Sequence, residues 1–103
     1  MPMIDVKLPK GALDASARAT LSDRLIATLL KWEKAPDNEV MRAITWCWIH
    51  EQELHVGGRF AGQPHVHVLA SVPEGALSER SKEGFVAEAT DVVADVAGIP
   101  EGF

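Results

Sequence analysis

With 103 residues, 47% of them apolar and 24% charged, the chain is sized for one domain around one core, and its composition excludes a disordered or fibrous chain. No apolar run approaches the roughly 18 residues of a membrane span, and a formal charge of -5 argues against nucleic acid as a partner while leaving room for a small anion in a locally basic pocket. One cysteine cannot staple the chain and no basic segment leads into an apolar one at its start, which favours a cytoplasmic location.

Met3 to Leu8 alternates, with Ile4, Val6 and Leu8 on one side and Met3, Asp5 and Lys7 on the other, which predicts a strand with one face on a core. Pro2 stands at its start, where no ladder hydrogen bond is lost. Removal of Met1 would expose Pro2 as a secondary amine, whereas a retained Met1 leaves it an amide nitrogen with no proton to take up. Pro9-Lys10-Gly11-Ala12-Leu13-Asp14 then stops the strand and offers Asp14 as a helix cap. Leu13, Ala17, Leu21, Leu25 and Leu29 recur every fourth residue and predict an amphipathic helix, which Pro36 and its neighbours end. Arg42 to His50, rich in β-branched and aromatic residues, reads as a second strand, and strand–long helix–strand order makes it parallel to the first. On that reading Trp46 and Trp48 share a face with Arg42 and Ile44, turned toward a subunit interface or a pocket.

Leu54 to Phe60 reads as a glycine-interrupted turn or short hairpin. Pro64 opens a third strand, with Val66, Val68, Ala70 and Val72 on one face. Pro73-Glu74-Gly75-Ala76-Leu77-Ser78 repeats Pro9 to Asp14 almost letter for letter, and Phe85, Ala89, Val92 and Val96 form a second helical stripe after it. The chain is thus one domain of two β-turn-α units, about 1–60 and 61–103. The second unit lacks its last strand, and the bare sheet edge that results calls for cover by Phe103 and its neighbours or by another subunit.

Proline directly after Met1, the tandem repeat, a basic residue opening the second strand and the Gly57-Gly58 pair together resemble the tautomerase superfamily over nearly the whole chain. The resemblance implies an α/β fold of tandem β-α-β units, as in 4-oxalocrotonate tautomerase and macrophage migration inhibitory factor, with two helices on one face of a mixed sheet. It also implies a homotrimer that needs no cofactor and no metal. Pro2 would be the general base and acid, moving a proton on a small enolisable or unsaturated oxo acid. Arg42 would hold or polarise the substrate's carboxylate or carbonyl, across a subunit boundary. Lys34 matches an active-site lysine of migration inhibitory factor, Leu54 the position of an active-site phenylalanine, and Trp46 would give a planar substrate an aromatic wall.

The family's arginine after the first-turn glycine is replaced by Ala12, so a clamp of two arginines is incomplete. Lys10 and Arg59 are the nearby cations. Asp37 and Glu39 lie near the acidic residue of the family's decarboxylase. A decarboxylase or dehalogenase of a small acid in the same pocket is therefore the nearest alternative, and a non-catalytic oligomeric module of the same fold is another. His65 and His67 share a strand face, but no third ligand completes a metal site, and His50 to His55 has one residue too many for the zinc-protease spacing. Cys47, mid-strand, reads as a buried thiol.

Overall fold

The computed structural model describes residues 2–60 and 65–98; the expectations for Pro64 and for the 99–103 tail lie outside the described residues. The central strand is β1 (Met3–Pro9). It pairs in parallel with β2 (Trp46–Gln52) and antiparallel with β5 (His67–Ser71), giving a mixed sheet of order β2-β1-β5. Ile4 and Val6 are 0% exposed, as the alternation requires. Two helices cover that face: α1 (Ala15–Trp32), which buries Leu21, Leu25 and Leu29, and α3 (Glu79–Ala97), which buries Phe85, Ala89 and Val92. Each such side chain withdrawn from water contributes about 1.5–3 kcal/mol, so these residues carry most of the fold's stability. The expected architecture, two helices on one face of a mixed sheet, is the observed one.

The repeat is visible as geometry. In each unit the glycine adopts a left-handed backbone, at φ +76° for Gly11 and +85° for Gly75, a conformation that costs a side-chain-bearing residue energy. Ala12 N–H donates to the Pro9 carbonyl at 3.1 Å, and Ala76 N–H to that of Pro73 at 3.0 Å. Asp14 and Ser78 then cap α1 and α3 through hydrogen bonds to Ala17 N–H and Ser81 N–H. The helices run antiparallel, with Arg24 against Asp95 and Lys31 against Glu88. Near Trp32 they come so close that a Cβ at Gly84 would run into the indole ring.

The second strand departs from expectation. Residues 39–43 form a short helix, α2 (Glu39–Ala43), and β2 begins only at Trp46. Asn38 is the reason: its side chain accepts from Met41 N–H at 2.9 Å and starts a helical turn that the β-branched composition of the segment masks. Arg42 and Ile44 therefore do not share a strand face with Trp46 and Trp48. Beyond β2, β3 (His55–Val56) and β4 (Arg59–Phe60) form the expected hairpin, turning through Gly57 and Gly58.

Among the described residues, no helix covers the sheet's second face. Met3 pairs with Trp46 and Ser71, Asp5 with Trp48 and Leu69, and Lys7 with His50 and His67. Those side chains share the open face by alternation.

Candidate active site

Pro2 is buried at the entry to β1, and its carbonyl accepts from Trp46 N–H at 3.3 Å. Because α1 is the crossover between two parallel strands, its C-terminus returns to the end of the sheet where both strands start. Trp32, Glu33 and Lys34 therefore stand at the Pro2 end. Among the described residues, Trp32 Nε1 and Glu33 Oε1 are buried without a hydrogen-bond partner. Burial pushes the Glu33 carboxyl above its usual range, and the charge of the chain's amino terminus acts against that rise.

Lys34 closes α1 in an unusual way. Its N–H donates to the Lys31 carbonyl at 3.1 Å and Ala35 N–H to that of Leu30 at 3.0 Å, the double bond of a Schellman cap. The residue at its corner sits at φ +57°, where glycine is the normal occupant. A strained backbone at an exposed cation on the Pro2 end of the sheet marks Lys34 as a candidate positioned side chain. Lys34→Gly should therefore raise stability by about 1 kcal/mol in denaturant titration while raising KM for an anionic substrate. A stabilised variant with unchanged KM would remove Lys34 from the site.

Arg42 lies in α2 and its fork is already engaged. Nε and Nη2 donate to Asp37 at 2.6 and 2.9 Å, and Nη1 donates to Asp23 at 2.6 Å. Asp37 above all, and then Asp23, raise its affinity for the proton further, and Arg42 in return holds Asp37 below the usual carboxylate range. Within one chain the guanidinium is thus an anchor joining α1, the 33–38 connection and α2, not a free carboxylate clamp. Asp37, singled out for decarboxylation, serves the same anchor.

Trp46 and Trp48 stand on the open sheet face, 44% and 50% exposed, edge to face with ring centres 6.3 Å apart. Trp46 Nε1 donates to the Ala43 carbonyl at 3.2 Å, and Trp48 Nε1 contacts Met3 Sδ at 3.2 Å, so both rings are fixed in place. Leu54 is far from this cluster. It lines a cavity of about 350 Å³ with Lys7, Leu8, Gln52, Val66 and His67 at the other end of β1. Five to six strand residues, on the order of 16–20 Å, separate that cavity from Pro2. The expected site residues thus divide: Pro2, Lys34, Trp46 and the Arg42 anchor gather where β1 and β2 begin, and Leu54 does not join them in one chain. Lys10 and Arg59 are exposed in the first turn and in β4, and Ala12 packs against the core.

Cys47 is half-buried on the helix-covered face and burial raises its thiol above the usual range. No group of three His, Cys, Asp or Glu among the described residues could hold a metal ion. Likewise no helix among them is long and apolar enough to cross a membrane.

No protein-family model and no curated protein matches the chain. Solved structures do. Pt0534 inactivated by 2-oxo-3-pentynoate aligns at a TM-score of 0.79 and 22% identity, over 96% of this chain and 76% of its own. N1, a member of the cis-3-chloroacrylic acid dehalogenase family, aligns at 0.76 and 23%, over 95% and 66%. A fused 4-OT, an asymmetric trimer, aligns at 0.73 and 17%, over 95% and 76%. The fold is that of the tautomerase superfamily.

Within the tautomerase fold, two residues here carry no motif in the sequence. The signal at Glu33 is a charged residue directly after a buried helical stripe. Asp23 is an exposed position in the middle of α1, and only the chain's path brings it to Arg42, nineteen residues on.

Proposed function

We propose that the protein is a cofactor-independent tautomerase in which Pro2, freed by removal of Met1, shuttles a proton on a small enolisable or unsaturated oxo acid. The observation that carries this reading is the position of Pro2: buried, at the head of the central strand, in a fold whose solved examples include a 4-OT. A secondary amine in apolar surroundings is disfavoured as ammonium, which brings its pKa toward neutral and suits it to take a proton from carbon. Pro2 removes the proton α to the carbonyl, the electron pair moves to the oxygen as an enolate, and the proton returns to carbon or to oxygen. Lys34 offers the nearby cation for the substrate's negative charge, and Trp46 the planar wall.

Acid chemistry in the same pocket, as in a decarboxylase or dehalogenase, is the second reading. It is favoured by the likeness to N1 and by the buried Glu33 carboxyl, which would help keep Pro2 protonated.

The open sheet face is the proposed contact between copies in a homotrimer. Large apolar side chains on an otherwise helix-backed sheet need a partner surface. Leu54, remote from the Pro2 of its own chain, would on this reading serve the Pro2 of a neighbour.

The test is phenylpyruvate ketonisation by protein whose intact mass confirms loss of Met1. Turnover above buffer supports the tautomerase reading; none, from a folded and processed sample, removes it.

A further inference from the structure

We propose that Glu33 is the counter-charge of the Pro2 amine: its buried carboxyl oxygen, which finds no partner while Met1 precedes Pro2, accepts a hydrogen bond from the secondary ammonium that removal of Met1 creates. The activity consequences rest on the reading of Pro2 as the catalyst; the pairing itself does not.

The chain's path brings the two residues to the same end of the sheet. Glu33 is the C-cap of α1, Pro2 directly precedes β1, and the parallel crossover returns the first to the end of the sheet where the second begins. Pro2 is buried, and Glu33, partly buried as a residue, has its Oε1 withdrawn from solvent with no donor among the described residues. A buried carboxyl oxygen without a donor is rare in folded proteins and points to a group still to arrive. The indole N–H of Trp32, the neighbouring orphan, does not serve it. The electrostatics agree, since the positive charge of the amino terminus already acts on this carboxyl against its burial.

The other charges around this end are committed or exposed. Lys31 is tied to Glu88, Arg42 to Asp37 and Asp23, Asp5 to His50, and Lys82 to Glu79. Lys34 and Glu83 face solvent. Glu33 is therefore the carboxyl that buried surroundings leave to a new cation.

Its effect on chemistry has a definite sign. A carboxylate beside an amine favours the ammonium, so Glu33 holds the Pro2 midpoint above the value that apolar burial alone would set. Below that midpoint Pro2 carries a proton and can only donate it; above, it can accept. Removing the charge should open the base-catalysed limb at lower pH.

The experiment follows the amine directly, by ¹⁵N NMR of proline-labelled, processed protein titrated in wild type and in Glu33→Gln. The expected result is a midpoint lower by about one pH unit or more in the variant, with the rising limb of phenylpyruvate ketonisation displaced the same way. In the wild type, the ¹³C signal of the Glu33 carboxyl should move a second time as the amine loses its proton, because coupled groups titrate together. That second reading needs no variant and decides the matter if Glu33→Gln does not fold. Equal midpoints in two folded proteins, or a Glu33 signal blind to the amine, would overturn the pairing. Coupled titration without turnover would leave the pairing standing and remove the tautomerase reading. Pro2-dependent turnover with an indifferent midpoint would do the reverse.

Discussion

Pro2→Ala is expected to lower turnover of an enolisable substrate by about 10²–10⁴-fold, the usual worth of a positioned acid–base group. The variant keeps a primary amine at the terminus once Met1 is removed, so the loss measures the ring's contribution. Proline fixes φ and so aims its nitrogen; alanine leaves that nitrogen free to rotate and changes its basicity. Little else should change, because the residue before β1 gives the ladder only its carbonyl, which receives Trp46 N–H. Far-ultraviolet circular dichroism and the thermal midpoint should therefore match the wild type, and kcat should fall more than KM rises. A variant as active as the wild type would assign the chemistry to another group.

Trp48→Glu is expected to take the proposed homotrimer apart. Trp46 and Trp48 on β2 and Leu69 on β5, the two strands that flank β1, are 44%, 50% and 53% exposed on one sheet face, while the opposite face is closed by α1 and α3. Trp48 is half exposed, so covering it at an interface removes about 75–125 Å² more, half an aromatic side chain's area, from water. At roughly 25 cal/mol per Å² that is on the order of 2–3 kcal/mol per copy before ordering costs. A carboxylate in its place gains nothing from burial and repels its copies across a symmetric contact. Sedimentation velocity should show a trimer for the wild type and a monomer for the variant at the same concentration. The core face is untouched, so the variant's secondary structure should survive. A wild type that sediments as a monomer would leave the open face without its proposed partner.

The elements whose causes are local were legible in the sequence. Asp14 caps α1 as read and Ser78 caps α3 at the matching position of the repeat, the Pro-x-Gly-Ala-Leu turns recur with the same left-handed glycine, and the Gly57-Gly58 pair turns a hairpin. The error lay where two local signals compete. Val40 to Thr45 has the β-branched content of a strand, but Asn38 offers a cap and Thr45 donates its hydroxyl to the Met41 carbonyl at 2.7 Å, so the turn before β2 is helical. That shift moved Arg42 off the sheet and onto two carboxylates, one of them nineteen residues away in α1. Pairings of that range follow from topology, which composition and periodicity do not encode. The same holds for Leu54, whose place beside Leu8 and Gln52 at the far end of β1 separates it from the Pro2 of its own chain.

The measurement closest to the central claim is covalent labelling with 2-oxo-3-pentynoate, the compound that inactivates the structurally similar Pt0534. Its conjugated triple bond takes up a nucleophilic amine by addition, and Pro2 is the amine proposed to be unprotonated near neutral pH. Peptide mapping by mass spectrometry after incubation at neutral pH should find a single adduct on Pro2, formed in step with the loss of phenylpyruvate ketonisation. Full inactivation with Pro2 unmodified, or a labelled Pro2 in a protein that still turns over, would contradict the account.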